Sequence, residues 1–337
     1  MTQTLGPVML DLEGTRLSAD ERKLLLRPEV GGVILFARNL EDAQQVRGLC
    51  DAIRRLRPQL LLAIDQEGGR VQRMRHGVTR LPSMGRIGRD YQTSPEVTLR
   101  LCLDTGWLLG MEMAACGLDL TFAPVLDVDA GISSVIGDRS FSSDPVAVTA
   151  LAGAFVSGLH EAGMAAVGKH FPGHGGVAAD SHLELPIDER SLDTLRRHDL
   201  IPFTELATRL DGVMPAHVVY PAFDARPAGF STSWLGMLRE SLGFKGTIFS
   251  DDLGMVGAGF AGTPGERAQA ALNAGCDMVL VCNDRAAALE VLDACQGRSI
   301  RPASRLRYGR ARPELDSLGA LGRWRRVHAR LEAMASD

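Results

Sequence analysis

Residues 144–171 read DPVAVTALAGAFVSGLHEAGMAAVGKHF and contain one complete helix–strand unit of the fold. Asp144 is a helix-capping residue type and Pro145 suits a first helical turn, so together they predict that a helix begins here. Apolar residues at helical spacing continue to Gly163, a residue type that commonly follows a helix. The short apolar run Ala165–Gly168 comes next and predicts a strand that is buried on both faces.

The same alternation of a short apolar run and a helical stretch recurs along the chain. It predicts helices over Glu96–Gly117 and Pro264–Gly275, and a kinked or divided helix over Ser191–Leu210, which contains a proline. The predicted strands are Val8–Leu12, Gly32–Phe36, Leu60–Ile64, Leu120–Leu126, Ala165–Gly168, Gly212–Met214, Gly246–Phe249 and Met278–Val281. Eight such units predict an α/β fold, a TIM-type (β/α)8 barrel. The competing open, doubly wound sheet lacks support because no G-x-G-x-x-G motif follows the first predicted strand and no G-x-x-x-x-G-K-[ST] motif is present.

The domain prediction is one catalytic barrel over residues 1–300 and a C-terminal helical extension over 301–337 that packs on it. From Arg298 to Asp337 the chain has ten arginines and four acidic residues, a net charge of 10 − 4 = +6. Such a tail could contact nucleic acid or a membrane. The simpler interpretation is a terminal helix with solvated arginines that docks through apolar residues at helical spacing, namely Leu318, Leu321, Trp324, Val327 and Leu331.

Composition narrows the class of protein. The 337 residues carry a formal net charge of −4, which argues against a globally basic nucleic-acid binder. No apolar run reaches the roughly 18–20 residues that span a bilayer, and the first residues do not resemble a secretory signal. The six cysteines form no C-x-x-C pair, which favours buried reduced thiols. We therefore predict a cytoplasmic, monomeric protein without nucleic-acid or membrane partners.

The polar residues that follow the predicted strands indicate where the chemistry lies, because catalytic groups of such barrels stand at the carboxyl ends of the strands. Nearly every strand delivers charged or hydrogen-bonding groups, with few aromatic residues, which suits a small polar substrate rich in hydroxyl groups. These groups are Asp11/Glu13, Arg38/Asn39, Asp65/Glu67, Asp127/Asp129, Lys169/His170, His217, Asp251/Asp252 and Asn283.

The loop after the fifth strand, GKHFPGHGGVAADSHLELP (residues 168–186), is the most informative segment. Asp180 and His182 are two residues apart, so in an extended loop their side chains face the same way. A carboxylate beside an imidazole fixes its tautomer and raises its pKa, which suits general acid–base catalysis. The alternatives are a structural turn and a metal site formed by the loop histidines. The H-x-x-x-H spacing brings ligands together only on a helix, which Pro172 and Gly173 argue against, so we predict neither a metal nor another cofactor.

Two further clusters suit sugar chemistry. In TIFSDDLGM (residues 247–255), a carboxylate of Asp251 or Asp252 could attack an electrophilic sugar carbon, or could simply cap a helix. In AIDQEGGRVQR (residues 63–73), Asp65 and Arg73 could bind neighbouring hydroxyl groups, and Arg139 is a similar donor on a loop. Each of these groups could instead form a salt bridge at the rim.

Together these motifs resemble the bacterial β-N-acetylglucosaminidases of glycoside hydrolase family 3. The similarity extends in order from about Val8 to about Asn283, and its most specific part is KHFPGHG followed by DSH. The other matching motifs are IDQEGGRVQR, FAPVLDV, IGDRSF, MPAHVVY and FSDDLGM. In IGDRSF, Asp138 stands where a glutamate is expected, which could alter the support of the neighbouring arginine.

The resemblance implies a single-domain barrel that removes non-reducing terminal N-acetylglucosamine from β-1,4-linked 1,6-anhydro-muropeptides in cell-wall recycling. It implies that Asp251 is the nucleophile of a retaining mechanism, that His182 is the acid/base and that Asp180 is the partner of His182. The implied sugar-binding residues are Asp65, Arg73, Arg139, Lys169 and His170.

Three alternatives to this hydrolase stay open at the level of sequence. A phosphorylase is one, because without a carboxylate acid/base a phosphate anion meets less repulsion. A family 3 glycosidase for another sugar is the second. A non-catalytic sugar-binding barrel is the third, although such a protein would not need both Asp251 and the Asp180/His182 pair.

Overall fold

The computed structural model of the protein describes residues 4–179, 181, 185–300 and 306–336. Within this part of the chain, eight parallel strands form a closed barrel in the order β1-β12-β11-β8-β7-β6-β3-β2. The barrel strands are β1 (Val8–Leu10), β2 (Val30–Leu35), β3 (Leu61–Ile64), β6 (Leu120–Thr121), β7 (Ala165–Phe171), β8 (Gly212–Pro215), β11 (Thr247–Asp252) and β12 (Met278–Val281). The predicted (β/α)8 barrel is confirmed.

The strands read as continuous apolar runs because both of their faces are buried. Alternate residues point into the barrel or outward beneath the helices, as the two-residue period of a strand requires. In the pair β2–β3, Ile34 lies beside Ala63 and both belong to the barrel interior. Their neighbours Val33 and Leu62 belong to the outer layer under the helices.

Strand β6 is shorter than the sequence predicts. The run Leu120–Leu126 forms a ladder only over Leu120–Thr121, and Val125 then makes an isolated parallel bridge with Lys169. Pro124 lies between these pairings and has no backbone N–H to donate, so the ladder is interrupted there.

Two antiparallel hairpins lie outside the barrel ladder. The first pairs β4 (Gln66–Gly68) with β5 (Val71–Gln72) directly after β3, and the second pairs β9 (Val219–Tyr220) with β10 (Asp224–Pro227) after β8. Neither was predicted. The first hairpin turns at Gly68 and Gly69, whose φ angles of 114° and 54° favour glycine.

The helices cover the outside of the barrel. Those between strands are α1 (Ala19–Leu25), α2 (Ala43–Leu56), α3 (Met84–Gly88), α4 (Pro95–Ala115), α5 (Pro145–Ala162), α6 (Leu192–Arg197), α7 (Leu200–Leu206), α8 (Thr232–Gly236) and α9 (Pro264–Ala274). Helix α10 (Arg285–Ala294) follows β12, and α11 (Leu315–Leu318) and α12 (Gly322–Ser336) follow at the C-terminal end. Helix α5 begins and ends as its sequence predicts, with the Asp144 side chain accepting from the backbone N–H of Val146 and with Gly163 in the left-handed conformation.

The predicted division of the helical stretch Ser191–Leu210 is also present, since α6 ends at Arg197 and α7 begins at Leu200. Pro202 lies in the first turn of α7, where its missing N–H has no intrahelical partner to lose.

Helices α11 and α12 pack against α4, with Leu318, Val327 and Leu331 buried and Leu321 exposed. In the described part of the chain, no helix combines the length and the apolar character needed to cross a membrane. The domain boundary at residue 300 stays a prediction.

Candidate active site

A cavity of about 640 Å³ opens at the carboxyl ends of the barrel strands. Asp65 follows β3, Lys169 and His170 lie at the end of β7, and Asp251 lies at the end of β11, so these three strand ends contribute to it. Six of the residues singled out from the sequence line this one cavity: Asp65, Arg73, Arg139, Lys169, His170 and Asp251.

One side of the cavity is an ion-pair network centred on Lys169. Its Nζ lies 2.8 Å from Asp65 Oδ1 and 2.6 Å from Glu67 Oε1. Arg139 donates from Nε and Nη2 to the two oxygens of Glu67, each at 2.8 Å. Arg73 Nη2 stands farther away, 3.6 Å from Asp65 Oδ2. Three cations and two carboxylates therefore present fixed donors and acceptors to a ligand in the cavity.

Glu67 is the buried centre of this network. Burial alone would raise the pKa of its carboxyl, but Arg139 and Lys169 hold that pKa well below its usual range. Burial likewise disfavours the charge of Lys169, yet Asp65 and Glu67 raise its pKa. Glu67 and Lys169 are therefore both ionised at neutral pH. Asp138, which was expected to influence Arg139, instead lies near Arg70, with 3.4 Å between Arg70 Nε and Asp138 Oδ1.

His170 is held by a second buried carboxylate, Asp127. The His170 Nδ1–H donates to Asp127 Oδ2 at 2.7 Å, and Asp127 Oδ1 accepts from the backbone N–H of His174 at 2.7 Å. Burial would raise the pKa of Asp127, but His170 and these donors lower it. Because Nδ1 carries the proton toward Asp127, the opposite edge of the His170 ring is the one presented to the cavity.

The two adjacent aspartates of β11 have different surroundings. Asp252 Oδ1 accepts from the backbone N–H groups of Gly254, at 2.9 Å, and Cys282, at 3.1 Å, which ties the loop after β11 to β12. Asp251 Oδ1 accepts from the backbone N–H of Asp252 at 2.8 Å. Both line the cavity, but it is the Asp252 carboxylate that links two loops. The geometry thus favours Asp251 for chemistry and Asp252 for structure.

Asp180 and His182, predicted as the acid/base pair, lie outside the described residues. Ser181 between them is described, is buried and lines the cavity. Its carbonyl accepts from the backbone N–H of Gly257 at 3.0 Å, and its hydroxyl lies 3.4 Å from His174 Nε2. The segment that carries the predicted pair therefore reaches the cavity wall at this residue.

Both ends of that segment are fastened to strand β9 of the second hairpin. The Tyr220 hydroxyl donates to Gly173 O at 2.7 Å, and Asp188 is joined through its backbone N–H to Val219 O at 2.8 Å. Arg190 bridges the carboxylates of Asp188 and Asp199, with contacts of 2.7 to 3.1 Å. These two carboxylates are each 1% exposed, so the arginine compensates two buried charges.

Sequence reasoning did not assign roles to Glu67, Asp127 or Arg190. Glu67 and Asp127 were recognised only as polar residues at strand ends. Their signal was their position. Glu67 stands two residues after Asp65, a predicted sugar-binding residue, and Asp127 directly follows the predicted strand Leu120–Leu126. Nothing in the spacing indicated that Arg190 would reach back to Asp188.

Among the described residues, no group of three or more histidine, cysteine, aspartate or glutamate side chains is arranged to hold a metal ion. The predicted absence of a metal or other cofactor stays a prediction, since two residues of the proposed dyad lie outside that part of the chain.

Comparison with known proteins gives consistent matches. Residues 4–301 match the family described as glycosyl hydrolase family 3 N terminal domain. A beta-hexosaminidase of Pseudomonas aeruginosa is 56% identical over 308 residues, which are 91% of each chain. A beta-hexosaminidase of Alkalilimnicola ehrlichii is 54% identical and covers 96% of this chain and 92% of its own. The crystal structure of NagZ from Neisseria gonorrhoeae in complex with N-trifluoroacetyl-D-glucosamine matches with a TM-score of 0.92, at 43% identity over 98% of both chains.

Proposed function

Because this chain belongs to glycosyl hydrolase family 3, we propose that it is a retaining enzyme that releases terminal N-acetylglucosamine from peptidoglycan fragments. Its beta-hexosaminidase relatives, which share more than half of its residues, make it a glycoside hydrolase that acts on N-acetylhexosamine. The observation that carries the finer proposal is the cavity itself, where Asp251 faces the Lys169-centred network of fixed charges.

In the first step, a carboxylate oxygen of Asp251 attacks the anomeric carbon and the bond from that carbon to the leaving oxygen breaks. His182 gives its proton to the leaving oxygen, and a covalent glycosyl-enzyme results. In the second step, water attacks the anomeric carbon, His182 takes a proton from the water, and the bond to Asp251 breaks. Two inversions at the same carbon retain the β configuration.

The charged network binds the sugar hydroxyl groups in this scheme. Lys169 and Arg139 donate and Asp65 accepts, and their mutual ion pairs hold them in place before the sugar arrives. His170, fixed by Asp127, adds a contact from the neighbouring strand end. Such preorganised polar groups discriminate strongly against a ligand that lacks the matching hydroxyl.

The proposed substrate is a GlcNAc-β-1,4-anhydro-N-acetylmuramyl peptide, an intermediate of cell-wall recycling. This proposal rests on the motifs in the sequence and on the similarity to NagZ from Neisseria gonorrhoeae. The cytoplasmic location and the monomeric state stay predictions.

The experiment that tests the reaction uses 4-nitrophenyl β-GlcNAc with the wild type and Asp251→Ala, together with a fluorinated GlcNAc analogue and intact-mass detection. We expect turnover by the wild type, none by the variant, and a sugar adduct that maps to Asp251. An adduct on another residue would reject the assignment of the nucleophile. Parallel reactions with and without inorganic phosphate test phosphorolysis, because a sugar 1-phosphate product would replace the hydrolase by a phosphorylase.

The role of His182 has a separate test. His182→Ala should lose much activity on the anhydro-muropeptide, whose leaving group needs a proton, and less on activated aryl glycosides. Equal losses on both substrates would argue against an acid role. The matching comparison of aryl GlcNAc with aryl glucoside measures the sugar preference.

A further inference from the structure

Asn283 has an unusual backbone conformation at the mouth of the cavity. It directly follows Cys282 at the end of β12 and has a φ angle of 63°, and in the described part of the chain it is the one non-glycine residue with positive φ. Asparagine tolerates this left-handed conformation better than most residues, but it still costs free energy, and such conformations cluster at functional sites. We therefore expect this conformation to be held by specific contacts and to serve a function.

Two neighbours hold Asn283 in this position. The carboxylate of Asp11, at the end of β1 and 5% exposed, accepts from the backbone N–H of Asn283 at 2.8 Å. Arg38 ion-pairs with the same carboxylate and donates from Nη1 to Asn283 Oδ1 at 2.8 Å. Arg38 is itself fixed, because its Nε donates to Leu12 O at 2.9 Å. Asp11 and Arg38 together thus fix both the backbone and the side chain of Asn283.

These contacts settle which way the Asn283 amide points. A guanidinium group can only donate, so the atom that faces Arg38 is the amide oxygen and not the nitrogen. The Nδ2 group is therefore turned away from Arg38, and no described residue accepts a hydrogen bond from it. Because Asn283 lines the cavity, its two N–H bonds are available to a molecule bound there.

The position of β12 in the barrel shows why such a donor matters. In the closed strand order, β12 lies opposite β6, and Arg139 stands on the loop after β6. Lys169 and His170 come from β7, the neighbour of β6. The described lining residues from β2 and β12 are otherwise apolar or a thiol, and those of β11 include two carboxylates. Among the described lining residues that β2, β11 and β12 and the loops directly after them contribute, Asn283 is the only one whose side chain carries N–H groups.

We propose that Asn283 is a further substrate-binding residue, whose Nδ2 group donates a hydrogen bond to an oxygen of the terminal N-acetylhexosamine, on the edge of the ring opposite the one held by Arg139 and Lys169. Arg38 and Asp11 are positioning residues that act through Asn283. This inference rests on the proposed function, because it places the sugar unit in this cavity.

The test uses two variants of the full chain that remove the N–H donors of Asn283 in different ways. Asn283→Gly keeps the positive φ angle at low cost and removes the amide. Asn283→Asp keeps the size and the acceptor for Arg38 but replaces the N–H donors by an oxygen. For both we expect kcat/KM on 4-nitrophenyl β-GlcNAc to fall about tenfold or more, mostly through KM, and the Kd of the product GlcNAc to rise by a similar factor.

Arg285→Gln is the matched control. Arg285 also contacts Asp11, with 3.3 Å from Arg285 Nη2 to Asp11 O, but it does not line the cavity. We expect its kcat/KM to stay within about twofold of the wild type. If Arg285→Gln lost as much kcat/KM as the Asn283 variants, the cause would be a general disturbance of the contacts around Asp11 and not the missing donor. This result would overturn the proposal.

Two other outcomes would also overturn it. One is unchanged GlcNAc affinity in both Asn283 variants while their Tm matches the wild type. The other is a loss of kcat/KM on the disaccharide substrate alone, since that would place the contact on the leaving group. Wild-type turnover with an adduct on Asp251 would leave the proposed function standing in either case.

Discussion

Glu67 shows at the level of one residue how the site is built. It is 3% exposed, and both of its oxygens are bonded to cations that the proposed mechanism assigns to sugar binding, Arg139 and Lys169. Removing its charge would leave two cations beside a single carboxylate, Asp65. Glu67 is therefore a positioning residue whose effect on binding passes through its two partners.

We expect Glu67→Gln to destabilise the fold by about 3–5 kcal/mol at pH 7, because it breaks a buried ion pair. The pKa of the folded Glu67 lies far below its unfolded value of 4.5, so its contribution to stability is present above pH 4.5 and is lost as the pH falls below that value. The difference in unfolding free energy between wild type and variant should shrink by about 1.4 kcal/mol for each pH unit below 4.5. Urea unfolding of both proteins at pH 7, 4.5 and 3.5 measures this. A difference that stays constant over this range would contradict the ionised state of Glu67.

The adjacent aspartates of β11 give a second prediction at this scale. Asp252→Asn keeps an oxygen that can accept from Gly254 and Cys282, so it should lower kcat/KM by less than about tenfold and still form the glycosyl adduct. Asp251→Asn should lower kcat by at least about 10³-fold and form no adduct. Intact-mass detection with the fluorinated analogue separates the two variants. An adduct on Asp251→Asn and none on Asp252→Asn would instead identify Asp252 as the nucleophile and Asp251 as the structural residue.

Among the elements, the segment between β7 and α6 is the one on which the proposed mechanism most depends, because it carries the proposed acid/base pair. Its described ends are fastened to Val219 and Tyr220 of the β9–β10 hairpin and to Arg190. The segment also lies directly on Arg190, because a Cβ atom added to Gly176 would be 1.9 Å from Arg190 Nη2. The arginine therefore supports the backbone that leads to the proposed acid/base pair.

Arg190→Met should leave the carboxylates of Asp188 and Asp199 buried without a cation, which costs roughly 3 kcal/mol of stability. It should also lower kcat/KM on the anhydro-muropeptide by about tenfold or more, and by less on 4-nitrophenyl β-GlcNAc, because proton donation is the step that a displaced segment impairs. Arg226→Met is the control, since that arginine is half-exposed and pairs with Asp224 on the nearby hairpin. An equal loss on both substrates would indicate general destabilisation only.

The elements also show how far the sequence could predict this fold. All eight barrel strands were predictable, because strands buried on both faces are apolar throughout, and Met278–Val281 has the predicted bounds. The β4–β5 hairpin was not, because its sequence QEGGRVQ is polar and its strands are two and three residues long. Within the site, Asp251 and Lys169 stand at strand ends and could be located. The bridge from Arg190 to Asp199 could not, because it depends on where α6 and α7 pack.

At the scale of the whole molecule, the uneven charge of the sequence reflects how the C-terminal extension docks. The tail carries +6 and residues 1–297 carry about −10, which together give the net charge of −4. Arg312 of the tail pairs with the buried Asp119 at 2.7 Å, and Arg323 pairs with Asp104, also at 2.7 Å, and with Glu161 at 2.5 Å. Part of the basic charge therefore binds the barrel, which removes the need for a nucleic-acid or membrane partner to explain it.

Glu112 of α4 makes a further buried contact with the extension. Its carboxyl accepts from the Thr79 hydroxyl at 2.5 Å, the Thr79 backbone N–H at 3.0 Å and the Trp324 Nε1–H at 3.0 Å. The Thr79 hydroxyl also lies 2.8 Å from His328 Nδ1, so both Trp324 and His328 of α12 reach this cluster. Burial raises the pKa of Glu112 to about 7 although these donors favour the charged form. The docking of α12 should therefore depend on pH.

We expect the sign of this dependence to be a loss of stability as the pH rises. Folded Glu112 keeps its proton up to about pH 7, whereas the unfolded chain releases it near 4.5, so the stabilisation is complete below pH 4.5 and disappears as the pH passes 7. The effect is on the order of 3 kcal/mol. Glu112→Gln has no proton to lose, so the unfolding free energy of the wild type relative to this variant should decrease between pH 4.5 and 8. Identical pH profiles of the two proteins would refute this assignment. Trp324→Phe removes one donor to the charged form, so it should destabilise the fold more at pH 8 than at pH 5, which ties the pH dependence to the docked helix and not to the barrel alone.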